Sequence, residues 1–136
     1  MRLIIPDFRV LNALSRAGSM HLLLPKFTIT DVAEFCANSQ AMAFIREHTD
    51  AVIIDRTGFY KQIKLSKADP NFPLPADISE LSIYGYLNEI ARTETDTQAV
   101  IILDDGWFDR NQAGTMPPGV QLLKLTAYLA KKESAT

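Results

Sequence analysis

The chain has 136 residues, 47% of them hydrophobic, and 14 Lys and Arg against 16 Asp and Glu leave a formal net charge of −2. That length suits one domain with a single core, and 22% charged residues are ordinary for a globular fold, which sets intrinsic disorder and a coiled coil aside. The acidic balance argues against the broad basic surface that holds nucleic acid without specificity. A single cysteine, Cys36, and two histidines provide neither an internal disulfide nor a clustered Cys/His zinc site, so a metal would need oxygen ligands. The apolar run at 100–103 falls far short of the roughly 20 residues that span a bilayer. Residues 1–7 show no h-region or cleavage site, so the expectation is a cytoplasmic protein without a membrane segment.

Residues 3–6 read as a first strand, and 8–17 as a helix with Val10, Leu11, Leu14 and Ala17 on one face, stopped at Gly18. A second strand at 26–30, one continuous helix at 32–47 and a β-branched strand at 51–54 follow. Residues 59–65 alternate weakly, as an edge strand or hairpin arm would, and 68–76 carry three prolines and form a loop. In 78–91, Leu81, Ile83, Tyr84, Leu87, Ile90 and Ala91 make a one-sided helical pattern. The strand 99–103 reads Ala-Val-Ile-Ile-Leu without alternation, as a strand buried on both faces of a parallel sheet does, and is expected at the centre. A turn-rich loop at 114–119, a strand at 120–123 and a helix at 126–132 complete the order β-α-β-α-β-(β)-α-β-α-β-α. With no linker or repeat, that alternation predicts a single domain over 1–136, an α/β fold with a mostly parallel central sheet between helix layers.

Ligands of open α/β sheets bind beyond the carboxyl ends of the strands, and acids stand at those junctions. Asp7 follows the first strand, Asp31 and Glu34 the second, Asp77 and Glu80 open the 78–91 helix, and Asp104-Asp105-Gly106 follow the buried strand. Gathered together, they would form an oxygen-only site suited to Mg²⁺ or Mn²⁺, an ion able to polarise a phosphodiester and activate water. Helix capping accounts for the same residues. The segments 31–34 and 77–80 have capping-box spacing, and Asp7 can be an N-cap. Thr30 can hold a carboxylate or cap the next helix, and Asp104 or Asp105 can form a turn with Gly106. Glu80 projects along the line of Tyr84 and Leu87, the face expected to be buried, where an unpaired carboxylate is costly. His21 and His48 read as structural or surface residues, and Phe35, Met42 and Phe44 as apolar candidates for core or interface.

Four segments carry a resemblance: Ile4-Ile5-Pro6-Asp7 leading into Val10-Leu11-Asn12-Ala13-Leu14, then Ile29-Thr30-Asp31-Val32-Ala33-Glu34, Ser79-Glu80-Leu81-Ser82-Ile83, and Ile101-Ile102-Leu103-Asp104-Asp105-Gly106-Trp107-Phe108. In this order and spacing, over nearly the whole chain, they resemble the PIN-domain family, metal-dependent nucleases that include toxins of toxin–antitoxin pairs. The resemblance implies a three-layer α/β/α sandwich that hydrolyses RNA with one or two Mg²⁺ or Mn²⁺ ions. Asp7 matches the family's first acid, Glu34 the second, Glu80 the third and Asp105 the fourth, with Asp104 a close competitor. By that match Asp7, Glu80 and Asp105 or Asp104 hold an ion that activates water against the phosphate, and Glu34 holds a second ion or positions the water. A cognate antitoxin and a homodimer are implied as well.

Two positions depart from the family pattern. Arg9 stands where Asn is common two residues after the first acid, and Leu103 where Thr or Ser is common two residues before the fourth. Arg9 can grip a phosphate bidentately or replace the ion's charge outright, and the second case makes a degenerate, non-cleaving module the alternative function. A haloacid-dehalogenase-type phosphatase would need an Asp in place of Arg9. In a net acidic chain, RNA would rest on local cations, for which Arg9, Arg16, Lys26, Arg46, Lys61, Lys64, Lys67 and Arg110 are candidates, with Tyr60 and Trp107 able to stack on bases.

Overall fold

The computed structural model describes residues 2–93, 98–112 and 114–134. Its strands are β1 (Arg2–Ile5), β2 (Phe27–Thr30), β3 (Val52–Asp55), β4 (Ala99–Leu103) and β5 (Val120–Lys124). They form one sheet in the order β3-β2-β1-β4-β5, with every neighbouring pair parallel. The helices are α1 (Phe8–Arg16), α2 (Asp31–Cys36), α3 (Ser39–Glu47), α4 (Tyr60–Ala68), α5 (Ile78–Thr93), α6 (Asp105–Arg110) and α7 (Leu125–Ser134), and a 3-10 turn covers Met20–Leu23. Parallel pairing forces each connection to cross over a face of the sheet, and the result is the α/β/α sandwich that the strand–helix alternation predicts.

Neighbouring strand residues point to opposite faces, and both faces are covered. Ile5, Ile29 and Ile102 pack with Val10, Leu11 and Leu14 of α1, Ile45 of α3 and Tyr128 of α7. Ile4, Ile101 and Leu103 pack with Ile83, Leu87 and Ile90 of α5 and Trp107 of α6. A third cluster, Val32, Ile63 and Ile78, joins α2, α4 and α5. Gly18, with φ at +66°, supplies the left-handed residue that turns the chain away after α1.

Several expectations are corrected. β4 is internal but not central: β1 takes the middle, and β4 lies between β1 and β5. The helix expected over 32–47 is two helices. Ala37 is extended, and the Asn38 side chain accepts from the Ala41 amide at 2.8 Å. Two residues of α1 hold that break, since Asn12 Oδ1 accepts from the Asn38 amide at 2.7 Å and Ser15 Oγ bonds Asn38 Oδ1 at 3.1 Å. Residues 59–65 do not form a strand but enter α4, because Phe59 and Ile63, four apart, meet Val32 and Ile78. Trp107 is buried in the core against Phe108, ring centroids 5.2 Å apart, and is closed to a base. Phe35, Met42 and Phe44 are half-buried against core clusters, with Phe44 stacked on His48 at 4.0 Å. No helix among the described residues is long and apolar enough to cross a membrane.

Candidate functional site

Ile5 lies beside Ile29, and Ile4 beside Ile101. Continued past the strand ends, that register brings Asp7, Asp31 and Asp104 level at the carboxyl rim of β1, β2 and β4. Glu80, in the first turn of α5, joins them through Arg9. Parallel pairing thus gathers acids that the sequence separates by up to 97 positions.

Asp7 is fully buried and is the N-cap of α1. Its Oδ1 accepts from the Arg9 amide and from Arg9 Nε, both at 3.0 Å, and its Oδ2 accepts from Arg9 Nη2 at 3.0 Å and the Asp104 amide at 3.1 Å. Four donors meet the roughly four lone-pair positions of a carboxylate, so Asp7 is saturated. Arg9 Nη2 also reaches Glu80 Oε1 at 2.8 Å, and Arg110 Nη2 reaches the same oxygen at 2.9 Å. Asp104 is the N-cap of α6, taking the Gly106 amide on Oδ2 at 3.1 Å. A Cβ on Gly106 would lie 2.9 Å from Arg110 Nη1 and 3.0 Å from Asp104 Oδ2, so this glycine lets Arg110 fold back over Asp104 toward Glu80.

The centre is therefore three carboxylates wrapped around two guanidiniums. Burial pulls Arg9 toward lower pKa, but the Asp7 hydrogen bond and the charges of Asp7, Glu80 and Asp104 outweigh it and raise the value further. Burial likewise pushes Glu80 up, and Arg110 and Arg9 together pull it below the usual glutamate value.

The other sequence candidates stand elsewhere. Glu34 faces Lys67, Nζ to Oε1 3.5 Å, in a groove shared with Met42 and Ile45 of α3. Asp105 is directed to the β5 side of the rim, away from Arg9, and caps α7, with Oδ1 accepting from the Thr126 amide at 3.2 Å and Oδ2 from the Thr126 hydroxyl at 2.6 Å. Of the paired acids, Asp104 is the one at the centre. Thr30 is fully buried and caps α2 by accepting from the Ala33 amide at 3.1 Å, so the capping-box spacing of 31–34 is displaced by one residue. The roles of two residues are not legible in the sequence. Arg110 was only one cation among many, and nothing local marks it as Glu80's partner. Asp31, buried, takes Val32 N, Thr57 N and Thr57 Oγ1 on Oδ1 at 2.8, 3.1 and 2.8 Å, while its Oδ2 is buried without a partner.

The acids match the oxygen-only donor chemistry of Mg²⁺ or Mn²⁺, but their arrangement does not fit an ion. Arg9 occupies the lone pairs of Asp7 that would face one, and among the described residues no three His, Cys, Asp or Glu side chains are grouped to hold a metal. No family model, curated protein or solved structure matches the chain.

Proposed function

We propose that this chain is a PIN-like module that binds RNA without cleaving it, its own arginine serving as the counter-charge in the acidic centre. The observation that carries this reading is the seat of Arg9, whose guanidinium bridges Asp7 and Glu80 at 3.0 and 2.8 Å. A fixed cation at that position leaves a divalent ion no free lone pair on Asp7 and no strongly negative pocket, since Arg110 offsets a second carboxylate. The RNA component rests on the family resemblance and on cations exposed beside the rim: Lys61 and Lys64 of α4, and Arg56, which lies over the Tyr60 ring at 3.9 Å.

A second reading, a divalent-metal-dependent endoribonuclease acting as the toxin of a toxin–antitoxin pair, is favoured by one observation. Asp7, Glu80 and Asp104 converge at the carboxyl edge, where this fold class binds its ligands. Calorimetric titration of Mn²⁺ into the wild type and Asp7→Asn, beside binding and cleavage assays on a single-stranded RNA, separates the two. The expected outcome is RNA binding without added metal, no saturable Mn²⁺ heat and intact RNA. Saturable Mn²⁺ binding lost in Asp7→Asn, together with cleavage, would replace this proposal with the nuclease. Failure to bind RNA at all would overturn the RNA assignment.

A further inference from the structure

A cleft of about 540 Å³ runs between the loop after β3 and one face of α5, on a wall of the molecule that the Arg9 centre does not use. Its size falls in the range of sites for small organic ligands, roughly 300–1,000 Å³. Gly58 lines it from the loop and Gly85 from the helix. A Cβ on either glycine would meet nothing within 4 Å, and neither has a left-handed φ. Neither packing nor backbone conformation therefore calls for glycine at these positions, and in a helix interior it is a destabilising choice. What the two glycines do is bare the backbone on both walls of one cleft, so that a flat group can lie close against them.

Aromatic surface and hydrogen-bond acceptors line the rest. Phe59 and Tyr86 present rings, and the Tyr86 hydroxyl is fixed by donating to Asp55 Oδ2 at 2.8 Å. Of the charged lining residues, Asp55 is taken up by the Tyr86 hydroxyl and by Arg2 at 3.3 Å, and Arg56 is stacked on Tyr60, which leaves Glu89 as the carboxylate open to a ligand. An acceptor carboxylate beside aromatic rings suits a flat ring with adjacent N–H donors. Glu89 pairs with Arg92 at 2.7 Å, but both side chains are largely exposed, so the pair is weak and exchangeable.

We propose that this cleft binds a guanine base, stacked beside Tyr86 and Phe59, with the Glu89 carboxylate accepting the N1–H and 2-amino protons of its Watson–Crick edge. A carboxylate's two oxygens match that donor pair as they match a guanidinium's, and aromatic faces with edge-reading polar groups are how unpaired bases are recognised. The inference goes beyond the function proposed above and does not depend on it: no metal, no cleavage and no residue of the Arg9 centre is involved.

Calorimetric titrations with guanosine 5′-monophosphate and inosine 5′-monophosphate test it, because the two differ only in the 2-amino group. The wild type is expected to bind the guanosine nucleotide saturably and at least tenfold more tightly than the inosine nucleotide. Glu89→Gln should lower guanosine-nucleotide affinity at least tenfold and narrow that ratio. Gly85→Leu should abolish binding while raising the thermal midpoint, since it fills open space with a better helix former, and Gly85→Ala should shift both in the same directions by less. Undetectable binding of the guanosine nucleotide at millimolar concentration, equal affinity for the two nucleotides, or undiminished binding by both Gly85 variants would overturn the proposal.

Discussion

Arg9 follows Asp7 by two residues, and the reach of its side chain decides the chemistry of the centre. A short Asn at that position could not reach both Asp7 and Glu80, whereas Arg9 reaches both and saturates the first. Arg9→Asn should therefore do two things. Without metal it should destabilise the fold by about 2 kcal/mol or more, because Asp7 stays buried with half of its donors gone. With Mn²⁺ present the variant's thermal midpoint should rise as the ion takes up the vacated carboxylates, while the wild type's stays fixed. Equal Mn²⁺ responses in the two proteins would refute the substitution of guanidinium for ion.

Asp31 is the other residue where a single side chain carries several backbone and hydroxyl donors. Its Oδ1 joins the start of α2 to Thr57 in the loop after β3. Asp31→Ala should cost about 2–3 kcal/mol in denaturant unfolding, because the Thr57 amide and hydroxyl lose their acceptor. Asp31→Asn keeps an acceptor oxygen in place and removes a buried charge whose second oxygen has no partner, so it should cost much less. Comparable losses in both variants would mean that the charge, not the acceptor, holds the loop.

At the scale of elements, what was legible in the sequence is what short-range physics decides. β4 is buried on both faces and reads as an unbroken apolar run, and Asp7, Asp31 and Asp104 stand at strand ends because helices start there. The remainder was set by partners distant in the chain. The break between α2 and α3 is held by Asn12 and Ser15, 26 and 23 positions from Asn38. α4 is a helix because Phe59 and Ile63 find Val32 and Ile78. Asp104 and Asp105 are adjacent and chemically alike, and only the phase of α6 against α7 sends one to the acidic centre and the other to Thr126. Asp105→Ala should accordingly lower stability by about 1 kcal/mol, as loss of a helix cap does, and leave RNA binding and the Mn²⁺ response unchanged. Loss of RNA binding in a folded Asp105→Ala protein would put Asp105 back in the site.

Taken over the whole molecule, the charged centre is a clasp between layers that the sheet itself does not fasten. Arg9 projects from α1 on one face, and Glu80 and Arg110 come from α5 and α6 on the other, so their ion pairs close the carboxyl end across both layers. Acid should open this clasp. Glu80 titrates below the usual glutamate value of about 4.3, because the hydrogen bond and charge of Arg110 and the charge of Arg9 outweigh its burial. The folded state then binds fewer protons than the unfolded state around that value. The stability from Glu80 is thus fully present above the unfolded glutamate range and is lost as pH falls through the lowered folded value. Since Glu80 is about a third exposed, solvent screens the pairs and the contribution stays below about 1 kcal/mol. Thermal midpoints of the wild type and Glu80→Gln should differ at pH 7 and converge as the pH is brought down toward 3. A gap that persists unchanged into that range would mean that Arg9 and Arg110 hold Glu80 by shape and neutral hydrogen bonding, with its charge contributing nothing to the clasp.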